Sequence, residues 1–462
     1  MTKKIVNFSA INLGCTKNLV DLEYNLWEIL KLNSNENEFN FFANPEEKEV
    51  EYVILNTCGF LSSSRDEAEN TMKYYDDLWK KLIIIGCYVP VKNDDFVASL
   101  KNLASIVDYD NIKNTKEVLL WWEKLEKLKI GLSKLKTKQI KQYLWKIGWD
   151  QIGDKAFIYW TESVRAFLHA DKSYEYLKIA EGCNNKCSFC IIPNIRWKQR
   201  SRTVEDILEE VKIMVKSWIK EIEIISQDTT RYWVDLYKTP QLLELLEKID
   251  MIPWDFKYRL FYMYPDILSL KHLERLSKLK KMLPYFDFPF QHISPKILKR
   301  MGRFYDENHI FKLLDYIKDN FKNPFFHTNF IIWFPGETKQ DFELLLDFAK
   351  KYEFDSVSVF WYHDEPLADS SKLDNKIDEK TINSRLSELK EILNKIYDKK
   401  DNLRIWKKQI WFIEEISEEL WTCNIRPEIK APEIDELDTI KFENLIWIEY
   451  VNIWYKVEYM LK

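Results

Sequence analysis

The feature that most constrains this chain is a set of apolar, β-branched runs that each stop at a cysteine. INL precedes Cys15, VEYVILNT precedes Cys58 and KLIIIG precedes Cys87. Charged, helix-favouring stretches such as RDEAENTMKYYDDLWKK lie between them. Strands joined through helices return to the same end of a sheet, so they pair in parallel and carry helices on their faces. Residues 1–120 therefore read as a Rossmann-like α/β domain with a parallel sheet. The C-terminal ends of such strands share one edge, so Cys15, Cys58 and Cys87 are expected to converge there. Gly14 and Gly86 precede two of them and leave room for close approach. The plainer alternative is three unrelated buried thiols, which are common in cores; identical placement on three strands weighs against it.

Residues 121–168 are Lys-rich and read as a linker or surface insertion. From 169 to 402, strand and helix patterns alternate about six times. The strand-like runs are YEYLKIA, IKEIEIIS, KYRLFYM, YFDFPF, FFHTNFII and DSVSVFWY, and the last helix begins near Glu379. That repeat suits a partial TIM-type (βα) barrel. Residues 403–462 change to short alternating segments, IWFIEEI, DTIKFENLIWIEYV and YKVEYML, and read as a small antiparallel β-barrel. No apolar run is long enough to span a bilayer, and the opening MTKKIVNFSAINLGC has no leader-like apolar stretch, so a soluble, cytoplasmic protein with no membrane partner is expected. The net charge of −5 argues against a chain whose main task is gripping nucleic-acid phosphates.

A second cysteine set carries a tighter signature. Cys183, Cys187 and Cys190 stand in EGCNNKCSFCIIP, a CxxxCxxC spacing directly after the first barrel strand. Barrel active sites lie at that end of the strands. Three thiolates on one tight loop suit a [4Fe-4S] cluster, leaving the fourth iron open to a small chelating ligand. Zinc would want a fourth Cys or His close by, and the following residues supply none. Seven cysteines, an odd number, in a chain of this class favour metal or redox use over disulfides. Cys423 has no companion and reads as structural.

Taken together, the segments GCTKNLVDLE (14–23), LNTCGF (55–60), YLKIAEGCNNKCSFCIIPNIRWKQRSR (176–202), IISQDTTRYW (224–233), FPFQHIS (288–294), FIIWFPGET (330–338) and APEID (431–435) resemble the methylthiotransferase family of radical S-adenosylmethionine enzymes along nearly the whole chain. The resemblance implies a radical SAM barrel between an N-terminal three-cysteine domain and a C-terminal TRAM barrel. It implies two [4Fe-4S] clusters, one on Cys183, Cys187 and Cys190 and a second on Cys15, Cys58 and Cys87, and S-adenosylmethionine as cofactor. It also implies a reaction: sulfur at the second cluster is methylated, a 5′-deoxyadenosyl radical abstracts hydrogen from an unactivated carbon, and a methylthio group joins that carbon.

The segment SQDTT (226–230), where tRNA-modifying relatives carry a GQNVN-like run, favours the branch that modifies the β-carbon of an aspartate in the S-twelve protein of the small ribosomal subunit. Charge points the same way: residues 404–462 hold 8 Lys/Arg against 12 Asp/Glu, which suits a basic protein partner better than RNA. The alternatives are the same chemistry on a tRNA adenosine and a non-catalytic iron–sulfur or RNA-binding assembly factor. An electron donor such as flavodoxin or ferredoxin is implied. Among softer candidates, Phe189 resembles the family residue packed near adenine, and Gly336 and Glu337 the turn beside the cofactor. Gln227, Asp228, Gln291 and His292 fall at barrel-strand ends, where cofactor contacts or ordinary loop hydrogen bonds are both expected. Arg200 and Arg202 suit the cofactor carboxylate, the substrate or a surface ion pair.

One count conflicts with all of this. The chain has 9 Gly and 18 Trp, whereas a usual glycine share would give about 32 in this length. Trp27, Trp197, Trp218, Trp233, Trp333, Trp361 and Trp406 fall where the family pattern expects Gly. We read them as glycines of the living protein, the pattern left when a stop codon reassigned to Gly is translated as Trp. A Trp-rich divergent enzyme is the alternative.

Overall fold

A computed structural model describes residues 4–108, 174–404 and most of 408–460, with short interruptions at 35, 218 and 377–378. The Lys-rich segment 121–168, Trp218 and Trp406 lie outside the described residues. The chain divides into two compact units, Met1–Leu168 with Ile192–Thr203, and His169–Ile191 with Val204–Lys462.

In the first unit, strands β1 (Lys4–Asn12), β2 (Asn37–Phe41), β3 (Tyr52–Thr57), β4 (Lys81–Gly86) and β5 (Leu103–Ile106) form one parallel sheet in the order β2-β1-β3-β4-β5. Strand side chains alternate between faces, and both faces are covered. Ile54, Ile83 and Ile85 join Leu22 and Leu26 on one side, while Val53, Leu55, Leu82 and Ile84 join Met72 and Tyr75 on the other. Continuous apolar runs such as VIL and LIII are therefore what this sheet requires. The short edge strands β2 and β5 were not anticipated. NEFNF carries too few apolar residues, and LASI is too short, to stand out from loop.

In the second unit, β6 (Tyr174–Lys178), β7 (Glu221–Ile225), β8 (Lys257–Leu260), β9 (Met282–Gln291), β10 (Phe325–Ile332) and β11 (Ser356–Trp361) pair in sequential order, all parallel. Sequential pairing through helices is the winding of an incomplete (βα) barrel, not of a doubly wound sheet. The helices begin where side chains can take up orphan backbone N–H groups: Ser269, Asp306 and Thr338 cap Leu270–Leu276, Glu307–Asn320 and Lys339–Tyr352. Phe288, Phe290, Phe330, Phe348 and Phe354 fill the interior between β9, β10 and Lys339–Tyr352.

At the opening ends of β7 and β8, buried Glu221 accepts from Arg259 (2.6 Å) and from Arg426 (2.6 Å). Glu223 lies beside them, its carboxyl pushed well above the usual range by burial and by the Glu221 charge. One acid charge is thus shared by two guanidinium groups in the dry interior, and removing it would strand both. The remaining strands, β12 (Lys408–Ser417), β13 (Thr422–Pro427), β14 (Asp438–Lys441), β15 (Trp447–Val451) and β16 (Trp454–Met460), form an antiparallel sheet in the order β14-β13-β12-β16-β15. Cys423 sits within β13, opposite Ile416 and Ile440.

Candidate iron–sulfur centres

Cys15, Cys58 and Cys87 follow β1, β3 and β4, which are adjacent in the sheet, so all three arrive at one edge. Cys15 also stands at the N-cap of the helix Thr16–Leu30, where the helix dipole favours a thiolate. Asn18, one turn into that helix, joins the set: its Oδ1 accepts from the Cys15 and Cys87 thiols at 3.5 and 3.6 Å. Its Nδ2 donates to the Thr57 carbonyl at 3.1 Å, tying it to the end of β3. Glycine is required at position 59, because a Cβ there would lie 2.4 Å from the Cys87 carbonyl oxygen.

The thiols feel one another. Burial pushes Cys87 up to about 11 against the opposing charge of Arg196, and Cys15 and Cys58 raise it further. Burial also raises Cys15, but the Lys17 and Arg196 charges, with the backbone N–H groups of Asn18 and Lys17, outweigh it and hold that thiol below its ordinary value.

The second set lies in the loop after β6. Gly182 turns at φ 76°, and the Asn185 N–H donates to Cys183 Sγ at 3.4 Å. The loop is clamped by the segment that follows β9: the Ser188 N–H donates to the Met301 carbonyl at 2.9 Å, and Ser188 Oγ to that of Arg300 at 2.8 Å. Gly302, at φ 71°, lets this segment close on the loop, since a Cβ would sit 2.4 Å from the Lys186 carbonyl. Phe189 packs edge-on against Phe334 with ring centroids 6.4 Å apart, and the Arg303 guanidinium stands over its face at 5.8 Å. Phe189 is therefore brought to the FPGE turn.

Other predicted residues gather at the same strand ends. Asp228 accepts from Asn185 of the cysteine loop at 2.7 Å, and burial raises its carboxyl. Gln227 donates to Glu181 at 2.6 Å, and Glu181 pairs with buried Lys178 at 2.7 Å. Gln291 ends β9 at φ 68°. Left-handed residues close four strand ends in this unit: Gly182, Tyr262, Gln291 and Trp333. The Gly336 carbonyl accepts from Lys296 at 2.8 Å. Glu337 takes the Trp333 N–H and the Arg385 guanidinium, each at 2.6 Å, one on each oxygen. It thereby holds the turn, and burial lifts its carboxyl to about 7. Arg202 is buried and Arg200 half-buried, both in the segment that packs with the first unit.

Among the described residues, no three His, Cys, Asp or Glu side chains stand close enough to hold a single metal ion. A cubane cluster places each thiolate on a different iron, so three thiolates can serve it without converging on one ion. Burial, then the Asp228 carboxylate, hold Cys183 protonated with its value at about 12. Such a thiol becomes a thiolate only against bound cationic metal. The donor set of the loop fits a cluster.

Residues 177–349 match the model of the Radical SAM superfamily, and residues 7–108 that of the Uncharacterized protein family UPF0004. The ribosomal protein uS12 methylthiotransferase RimO of Aquifex aeolicus is 33% identical, covering 93% of this chain and 90% of its own. The RimO protein of Acetivibrio thermocellus is 31% identical over 98% and 97%. The chain belongs to the RimO family of radical S-adenosylmethionine methylthiotransferases. It is an enzyme, and the family brings S-adenosylmethionine and a [4Fe-4S] cluster as cofactors. The fold also resembles the radical S-adenosylmethionine methyltransferase TsrM from Kitasatospora setae, with a TM-score of 0.56 and 12% identity, covering 80% of this chain and 75% of that one. No described helix is long and apolar enough to cross a membrane.

Several residues of this RimO-family site were invisible in the sequence. Lys178, Glu181, Asn185, Arg303 and Arg385 are polar residues in ordinary company. Only Glu181 had a signal, its place beside the first loop cysteine in AEGC.

His292 yields a prediction. It is fully buried, and its Nδ1 accepts the N–H groups of Ile293 and Ser294 at 3.0 Å each. Burial pushes its pKa down to about 3. Above pH 6.5 the imidazole is neutral in both states and contributes no pH dependence. As pH falls below 6.5 the unfolded chain takes up a proton that the folded chain refuses, so stability is lost until about pH 3. The expected loss is about 2 kcal/mol between pH 7 and pH 5. His292→Asn, whose Oδ1 can accept the same N–H groups, removes that part of the slope in urea melts at the two pH values.

Proposed function

We propose that this chain attaches a methylthio group to the β-carbon of an aspartate in ribosomal protein uS12. The observation that carries the reading is 31–33% identity to uS12 methylthiotransferases over nearly the full length, together with two cysteine triads at strand C-terminal edges. Cys183, Cys187 and Cys190 would hold one [4Fe-4S] cluster, and Cys15, Cys58 and Cys87 a second. When bound, the first cluster and S-adenosylmethionine supply a 5′-deoxyadenosyl radical, which an unactivated C–H bond requires because no protein base could deprotonate it.

The chain's own residues do the rest. Ser188 and Gly302 hold the cysteine loop closed against the segment after β9. Asn185 donates to a cluster thiolate. Phe189, with Phe334 behind it, offers an apolar wall for adenine, and Gly336 lets the adjoining turn approach. Gln227, Asp228 and Gln291 would border the cofactor at the strand ends, with Gln227 donating to Glu181, which pairs with Lys178, and Asp228 accepting from Asn185 of the cysteine loop. Glu337, tied to Arg385 and the Trp333 N–H, keeps the turn in place.

The same reading divides the chain into residues 1–120, 169–402 and 403–462, with 121–168 as an insertion, and makes the C-terminal sheet a TRAM barrel. Its acidic balance, 8 Lys/Arg against 12 Asp/Glu over residues 404–462, suits a basic ribosomal protein over RNA. A flavodoxin or ferredoxin supplies electrons, and the reaction takes place in the cytoplasm. The test is to give the reduced, cluster-loaded enzyme S-adenosylmethionine with uS12 or with tRNA. The expected result is methylthiolated uS12 and unmodified tRNA. Modified tRNA, or no cleavage of S-adenosylmethionine, would contradict the proposal.

A further inference from the structure

Arg196 lies six positions after Cys190 in sequence, yet the segment Ile192–Thr203 packs with the first unit. Its side chain is 2% exposed. Nε donates to Cys87 Sγ at 3.0 Å, Nη2 to Asn18 Oδ1 at 2.6 Å, and Nη1 to Asp21 Oδ2 at 2.9 Å. Asn18 Oδ1 is also the atom that receives the Cys15 and Cys87 thiols. Asp21, itself 2% exposed, neutralises the guanidinium and fixes its fork. A fully buried cation is expensive to keep, and this one is aimed at sulfur instead of solvent. Trp197 at φ 61° bends the chain immediately after it, so that residue 196 turns inward while Trp197 remains half exposed.

We infer that Arg196 is the positioning residue of the Cys15–Cys58–Cys87 centre: it holds the Cys87 sulfur by a charge-assisted hydrogen bond, steadies Cys15 through Asn18, and sets the reduction potential of the cluster bound there. The inference rests on the reading that this triad carries a second cluster. Hydrogen bonds and positive charge at a cluster thiolate favour the more negative, reduced cluster and so raise its potential. The planar fork serves three partners at once, which a lysine ammonium on a flexible stem does not reproduce.

The test uses the full chain with Cys183, Cys187 and Cys190 all changed to Ala, so that any cluster bound is the N-terminal one. It is loaded anaerobically with iron and sulfide, its iron is counted, and it is titrated while the cluster's electron paramagnetic resonance signal is followed. Arg196→Gln and Arg196→Lys are then compared in that background. The paired variant Arg196→Gln with Asp21→Asn avoids a stranded carboxylate that could unfold the chain.

The expected result is a lower potential in the Gln variants, at least a tenfold fall in the reduced-to-oxidised ratio at fixed applied potential, equal to about 59 mV for one electron. The Lys variant should fall between. Loss of iron in the Arg196 variants alone, with circular dichroism unchanged, supports the same role. Unchanged iron and unchanged potential would overturn the inference while leaving the second cluster standing. No iron in the parent would overturn the second cluster itself, and the inference with it.

Discussion

Cys187→Ala lowers 5′-deoxyadenosine formation by the reduced enzyme to the uncatalysed background, and methylthio transfer with it. The loop has three thiols, and its geometry leaves no substitute. The neighbouring Asp228 is committed to Asn185 and Thr230. Two thiolates cannot hold three irons of a cubane and leave the fourth open for the cofactor. The fold should survive, because Cys187 is half-buried and the loop is clamped through Ser188, whose carbonyl also accepts the Ser370 N–H at 2.8 Å, and through Gly302, not through the Cys187 sulfur. With the proposed second cluster on Cys15, Cys58 and Cys87, iron should therefore drop by roughly half while circular dichroism is unchanged. The check is chromatography of the reaction products beside an iron assay. Retained 5′-deoxyadenosine would remove the cluster from this loop.

The second large effect concerns the tryptophans. Trp197, Trp233 and Trp333 stand at φ 61°, 72° and 64°, and Trp79, which sequence reasoning missed, at 59°. A bulky L-residue in that region is strained by its Cβ, whereas glycine adopts it freely. At about 1–3 kcal/mol each, the three in the barrel and its neighbouring segment together cost a sizeable part of a domain's margin of about 5–15 kcal/mol. Trp333 also buries its indole Nε1 with no hydrogen-bond partner among the described residues. Changing positions 197, 233 and 333 to Gly relieves that strain, about 3–9 kcal/mol by the same scale, less the burial lost with the Trp333 ring, so the clearest gain in denaturant melts is expected at half-exposed Trp197. We propose that glycine stands there in the living protein. Reassigned stop codons at these positions in the gene, or peptide masses with Gly, would agree; ordinary Trp codons would refute it. Trp27, inside the helix Thr16–Leu30, and Trp361, in β11, have ordinary backbones, so for those two the case stays with the family pattern.

Much of the fold was legible because its strands are buried on both faces. VILN, LIIIG and EIEII are buried along their whole length, and cysteines follow the first two at one sheet edge. The short edge strands Asn37–Phe41 and Leu103–Ile106 lacked that signal, as did Thr422–Pro427, whose TCNIRP is half polar. The placement of the cysteines and of Asp228 at strand ends was readable from spacing and pattern, whereas the contact between Phe189 and Phe334 was not. Arg196 was not: its partner Asn18 is 178 residues away, and nothing local distinguishes a buried arginine from a surface one. Glu337 was readable as a turn residue, but not the Arg385 that pairs with it from the long helix Glu379–Arg404.

The most direct measurement is the mass of uS12 from cells that carry this gene and from cells that lack it. uS12 from the first should gain the mass of CH3S less one hydrogen, and fragmentation should place the gain on an aspartate. The gain should vanish with Cys187→Ala. An unmodified uS12 in cells that make the active enzyme would contradict the proposed activity, as would a methylthio group found on tRNA instead.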